Sequence, residues 1–226
     1  PELQGIMGGY YAKIKNEHEE VTKAIFEHYK PKGFSDDLPE TKLGSLLSMV
    51  DKIDTLVGFF SIDKKPTGSK DPFALRRNSF SIVQILINFK INLSLNELLE
   101  PALKEYGCSS KSIKLSLIDF MIDKLKYVFI NENNRMDVVN SVLNTKIVND
   151  IPIKIISSRI DSISKFTKNN DFKLFLANFK RINNILKSEK FLNDDLLQVN
   201  TKVFDTIEER NIYNLSNSFS KEIIKK

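Results

Sequence analysis

Three observations predict an all-α fold. No alternation of the strand kind persists along the 226 residues, and apolar residues recur instead at spacings of three and four. All eight glycines lie at or before Gly107, so the remainder reads as helices divided by short polar breaks. No repeat period of the solenoid kind is present.

Taken in order, Val21, Ala24, Ile25 and His28 share one helical face, because position 28 lies seven, four and three residues beyond the others. His28 is expected to point inward. Leu43, Leu46, Leu47, Val50, Ile53 and Val57 form the next stripe, and Asp54 falls on it, with Asp51 one turn earlier. A turn at 66–68 is followed by Asp71 as an expected N-cap with Pro72 in the first helical position, opening a helix that carries Leu75, Val83, Leu86 and Ile87. The first 94 residues hold five of the seven prolines and most of the glycines, so a domain boundary is expected between Ser94 and Leu95, giving 1–94 and 95–226.

In the second part, Ser109 or Ser110 is expected to cap a helix whose inner face is Leu117, Ile118, Met121, Ile122, Leu125, Val128 and Phe129. Val138, Val139, Val142 and Leu143 continue the pattern. Pro152 suits a first helical turn ahead of Ile153, Ile156, Ile160, Ile163 and Phe166. Asn170 or Asp171 opens a further helix, with Phe172, Phe175, Leu176, Phe179, Ile182, Ile185 and Leu186 expected on its inner side. From 196 to 224, apolar clusters broken by Asn and Ser predict two shorter helices.

A chain of this length can bury one or two cores. The single cysteine, Cys108, excludes a disulfide framework and a thiolate zinc site and fits a reducing cytoplasm. Apolar runs are interrupted well short of the roughly 20 residues a bilayer requires, so no membrane partner and a cytoplasmic location are expected. The first residue is Pro1 rather than methionine, which suggests an excerpt of a longer chain. Net charge is only +5, but residues 151–190 hold nine Lys or Arg against three acids, a local +6, with the rest of the chain at −1. Such an uneven distribution suits a nucleic-acid phosphate backbone; a nucleotide bias of the genome is the competing explanation for the lysine content.

Two clusters could carry chemistry. An acid at Asp54 on a buried face needs a partner. His28 is the candidate, either as a structural hydrogen bond between helices or as the remnant of a metal site. The stretch 64–83, "KKPTGSKDPFALRRNSFSIV", lacks the GxxxxGK[ST] pattern and a preceding strand, which excludes a nucleotide P-loop. Lys65, Lys70, Arg76 and Arg77 crowd its helix start, where free amides and positive charge would attract a phosphate while Asp71 competes for the same field. Arginines paired with nearby acids are the alternative.

The segments "EHYKPKGFSDDLP" and "VDKIDTL" resemble the later half of HD-type phosphohydrolase domains, which places His28 and Asp51 at a late histidine and the final aspartate. No His-Asp dyad occurs, and one histidine with one aspartate cannot hold a catalytic divalent metal, so an HD-like fold without hydrolase activity, with no metal site and with His28, Asp51 and Asp54 as structural remnants, is expected. More specifically, "PELQGIMGGYYA", "EHYKP", "LP", "VDKIDTLVGFF" and "KPTGSKDPFALRRNSFSIVQIL", in that order, resemble the beta subunit of bacterial heterotetrameric glycyl-tRNA synthetases; "DFMIDKLKYVF", "MDVVNSVLNT" and "FKLFLANFKRINNILK" extend the likeness. The last is also similar to a helix of the anticodon-binding bundle of arginyl-tRNA synthetase. Gly9 departs from an expected basic residue and Val50 from an expected alanine.

The resemblance implies an HD-like helical domain over 1–94 and a helical body leading into an anticodon-binding-like bundle over 95–226. It implies tRNA(Gly) and an alpha subunit as partners, with ATP and Mg used by the alpha subunit's active site, no catalytic residue and no cofactor in this piece. The expected tRNA contacts are then Lys154, Arg159, Lys165, Lys168, Lys180, Arg181, Lys187 and Lys190, with Lys65, Lys70, Arg76 and Arg77 as a second cluster. The rivals are an HD-type metal-dependent phosphohydrolase and a helical interaction module without RNA binding.

Overall fold

The structure is a computed structural model that describes residues 3–33, 36–108, 110–145, 147–188 and 201–224. Among them there are ten α-helices, two short 3-10 turns and no strand, so the all-α expectation holds. The helices are α1 (Ile6–Ile14), α2 (Glu19–Glu27), α3 (Lys42–Ser61), α4 (Leu75–Asn88), α5 (Leu95–Glu105), α6 (Lys111–Asn131), α7 (Met136–Leu143), α8 (Ile153–Phe166), α9 (Asp171–Ser188) and α10 (Ile207–Ile224). By compactness the chain divides after Phe172, into Pro1–Phe172 and Lys173–Lys226. The core runs without interruption across the position where composition suggested a boundary: Leu95 is fully buried in one cluster with Leu56, Leu86, Leu117 and Ile156.

In the first unit α3 packs on α2, α4, α5 and α6, and α4 packs in turn on α6 and α8. The apolar periodicity locates the inward faces of the later helices: Leu117, Ile118, Met121, Leu125, Val128 and Phe129 on α6, Val138, Val139, Val142 and Leu143 on α7, and Ile153, Ile156 and Ile160 on α8 are all buried. Ser94 closes a capping box with Glu97 at the start of α5, each side chain bonding the other's backbone amide. At α6, Ser110 holds the cap position but spends its hydroxyl on that of Ser112, at 2.7 Å. Pro152 stands one residue ahead of α8 rather than in its first turn.

Two faces differ from expectation. On α3 the residues turned inward are Gly44, Ser45, Ser48, Met49, Lys52, Ile53, Leu56, Val57 and Phe60, whereas Leu43, Leu46, Leu47 and Val50 face solvent. Where α3 meets α2 the backbones come close: a Cβ on Gly44 would collide with the Glu27 carboxylate, so small and hydrogen-bonding residues occupy the contact and the bulky aliphatics are turned out. Gly9 is similar. Its helix lies against the Phe26 ring, which a Cβ would approach to 2.6 Å, and this accounts for the lack of a long side chain there.

The second unit presents α9 and α10. Phe175, Leu176, Phe179, Ile182 and Ile185 of α9 are exposed rather than inward as expected; Leu174 of the same helix and Ile207, Ile212 and Leu215 of α10 are exposed as well. Phe175 and Phe179 stack along α9 with centroids 6.1 Å apart. Of the two shorter helices expected between 196 and 224, one is the 18-residue α10; residues 189–200 lie outside the described residues.

Candidate nucleic-acid interface

The stretch between α3 and α4 is built as a closed turn. Thr67 and Lys70 exchange both backbone hydrogen bonds, at 3.0 and 2.7 Å, with Gly68 in the left-handed region at φ 47° between them. The Arg76 guanidinium reaches back from α4 and donates to the Gly68 carbonyl at 2.7 Å, which pins the turn to the helix. Lys65 pairs with Asp63 at 3.2 Å and sits 5.9 Å from the Phe60 ring centre. Lys70 and Arg77 project into solvent.

The start of α4 departs from the expected capping geometry. The helix begins at Leu75, Ala74 takes the left-handed conformation at φ 56°, and Pro72 is not in a helical turn. Asp71 still performs the capping, from farther away: one carboxylate oxygen accepts from the Leu75 amide and the other from the Arg76 amide, both at 2.9 Å. The helix amides that would have drawn a phosphate are therefore occupied by an internal anion, and the positive field that remains at this helix start comes from side chains. Asp71→Ala removes both bonds at once and is expected to lower stability by about 1–2 kcal/mol, while Asp71→Asn, which keeps one acceptor, costs less. Chemical denaturation of the two variants checks this, and equal losses would count against a charge-dependent cap.

His28, Asp51 and Asp54, expected as remnants of an HD-type site, form no hydrogen bond or ion pair with one another. His28 ends α2, its Nδ1 lies 2.6 Å from the Ile25 carbonyl oxygen, and its ring leans on Tyr29 at 4.3 Å. Asp51 and Asp54 are exposed, which overturns the expectation of a buried acid on α3. Asp54 accepts from the Tyr106 hydroxyl at 3.1 Å, and this bond holds the phenol's pKa above its usual value. The phase error on α3 explains both misplacements. Among the described residues no three His, Cys, Asp or Glu side chains gather where they could hold a metal ion.

The buried cation is one the sequence did not single out. Lys52, 4% exposed, donates to the His28 carbonyl at 3.1 Å, the Lys30 carbonyl at 3.4 Å and the Ser48 hydroxyl at 2.8 Å. It closes the carbonyl of His28, the C-cap of α2, and that of Lys30 just beyond, a place that favours positive charge. Burial pushes its pKa down to about 8, opposed by the Asp51 carboxylate. The only signal available in the sequence is a lysine four residues beyond Ser48 on a helix, which ordinarily reads as solvated.

On α8 the buried isoleucines leave Lys154, Arg159 and Lys165 outward, and Lys168 follows the helix, also exposed. Asp161 shares that outer surface. Lys180, Arg181 and Lys187 are exposed on α9 in the second unit, and Lys190 lies outside the described residues. A further lysine belongs with the α4 region: Lys124 of α6 lies over the Phe80 and Phe120 rings, 5.3 and 4.8 Å from their centres. Its pKa is lowered, chiefly by burial and in smaller part by Arg76. No described helix is long and apolar enough to cross a membrane.

Comparison with known proteins assigns this arrangement a lineage. Residues 1–144 match the family model described as glycyl-tRNA synthetase beta subunit. A protein of Rickettsia bellii named glycine–tRNA ligase beta subunit is 38% identical over 226 residues, covering all of this chain and 32% of the relative. Proteins with the same name from Rickettsia prowazekii and Thermodesulfovibrio yellowstonii are each 34% identical, over 224 and 215 residues. The chain spans about a third of the length of these curated relatives.

Proposed function

Since the chain belongs to the glycyl-tRNA synthetase beta-subunit family, we propose that it is the part of such a subunit that holds tRNA(Gly) in register while an alpha subunit, using ATP and Mg, attaches glycine. The observation that carries this reading is the exposed basic surface of α8 on a member of that family: Lys154, Arg159, Lys165 and Lys168 face outward over a helix anchored by buried isoleucines. A rigid helix presenting cations at fixed intervals suits a phosphate backbone, which supplies affinity and register without reading bases. Lys180, Arg181 and Lys187 extend the set on α9, and Lys70 and Arg77 supply it beside the α3–α4 turn.

The same proposal takes residues 1–94 as an HD-like arrangement that no longer hydrolyses phosphoesters. The commitment of the His28 imidazole to the Ile25 carbonyl supports it. It takes 95–226 as a helical body leading into an anticodon-binding-like bundle, and the setting as the cytoplasm.

Each neutralised phosphate releases condensed counterions, so log affinity falls with log salt by roughly 0.7–0.9 per contact. In the full-length subunit, reversing Lys154, Arg159 and Lys165 to Glu is expected to reduce that slope by about 2 for tRNA(Gly) and to weaken binding near physiological salt. Filter binding across a salt series measures it. An unchanged slope and affinity for this triple variant, and for Lys180→Glu with Arg181→Glu, would remove these residues from the interface.

A further inference from the structure

A cavity of about 620 Å³ opens beside the α3–α4 turn, lined by Tyr29, Lys32, Asp51, Lys52, Phe73 and Arg77 among others. Three cations there face one carboxylate. Two acids close in sequence to the lining residues are already engaged: Asp36 accepts from the Lys32 and Asp37 amides, and Asp71 from the two amides that open α4. Among the described residues the Lys32 ammonium and the Arg77 guanidinium make no hydrogen bond or ion pair, and both side chains are exposed. Lys52 differs. Its ammonium is spent on the His28 and Lys30 carbonyls and the Ser48 hydroxyl, so it contributes positive field rather than a contact.

The walls also offer ring faces. Phe73, 40% exposed, lies on Phe59 at 4.0 Å and 19°, which fixes its plane. Tyr29 is held by the His28 ring and by the Gln4 side-chain amide, which donates to its hydroxyl at 2.6 Å. Pre-set aromatic planes beside unpaired cations, in a space of small-molecule size, are what a nucleotide with its phosphate requires. A bare anion would need no rings, and a purely apolar ligand would leave the charges unmatched.

We propose that this cavity receives one unpaired nucleotide, its phosphate held by Lys32 and Arg77 and its base lying against Phe73. The nucleotide can come from an RNA strand or be free in solution. The RNA source rests on the function proposed above; the free source does not.

The test uses the full-length subunit with two probes, a short 5′-phosphorylated single-stranded RNA and AMP, read by hydrogen exchange at the cavity-lining amides and by titration. Expected for at least one probe is protection of 29–32 and 72–78, a loss of affinity of at least about tenfold in the Lys32→Glu, Arg77→Glu variant, and a loss of about tenfold in Phe73→Ala with the salt slope unchanged. Thermal melting of the variants confirms that these surface changes leave the fold intact. Protection and loss with RNA alone assign the site to RNA, and with AMP to a free mononucleotide; either supports the cavity. If the wild type binds RNA and neither variant weakens it, and AMP protects nothing, the cavity proposal is overturned while the tRNA reading stands. If the wild type binds neither tRNA nor the RNA probe, the tRNA reading falls, and the AMP result alone decides the cavity.

Discussion

Replacing Glu27 by alanine lowers the unfolding free energy by about 3 kcal/mol, while Glu27→Gln costs roughly 1 kcal/mol. The residue is 8% exposed, and its carboxylate accepts from the Glu40 amide at 3.2 Å, the Thr41 amide at 3.2 Å and the Thr41 hydroxyl at 2.7 Å. Thr41 is the N-cap of α3, and its hydroxyl oxygen in turn accepts from the Gly44 amide at 3.0 Å. Glu27 therefore orients the cap and also places negative charge at the positive end of α3. Alanine leaves the Glu40 and Thr41 amides and the Thr41 hydroxyl without their charged acceptor. Glutamine keeps the shape and one acceptor but loses the charge. Urea unfolding of the three proteins gives the comparison, and indistinguishable variants would deny the carboxylate its part.

The second large effect depends on pH. Folding holds the Lys52 pKa at about 8, below the usual 10.5, because the ammonium is buried. Below pH 8 the lysine is charged in both states, and the full cost of burying that charge is present. As pH rises from about 8 to 10.5, the folded protein has released a proton that the unfolded chain still binds, so stability increases with pH across that window. The gain is on the order of 2–3 kcal/mol between pH 7 and pH 10. Lys52→Met lacks it, so the stability difference between wild type and variant shifts in favour of wild type by that amount over the same range. Parallel stability curves for the two proteins would show that the ammonium is effectively hydrated.

Periodicity made α6, α7 and α8 legible because those helices are buried by bulk alone: Leu117, Val139 and Ile156 lie where the three-and-four spacing puts them. It misled on α3 for a physical reason. The closest helix contact there is made by Gly44, Ser48 and Lys52, and small or hydrogen-bonded residues let backbones approach, whereas a pattern of apolar residues registers only size. The identity of the chain was legible in its motifs, and the basic residues of α8 face solvent. The cavity was not legible. Tyr29, Lys32, Lys52, Phe73 and Arg77 come from three separate segments, and only the packing of α2 on α3 and of α3 on α4 brings them together. The start of α4 escaped because Asp71 acts four and five residues ahead of the amides it serves, with Ala74 left-handed between them.

The loop that ends in Thr67 and Lys70 is cross-tied at its tip and lashed to α4 by Arg76, with no outside help. Any molecule that docks on that projection meets a surface already in its final shape and forfeits little chain disorder on contact. Recognition at this corner is then governed by geometry and charge alone, and a change that loosens the tip, such as Arg76→Ala, acts by restoring freedom that binding must then remove.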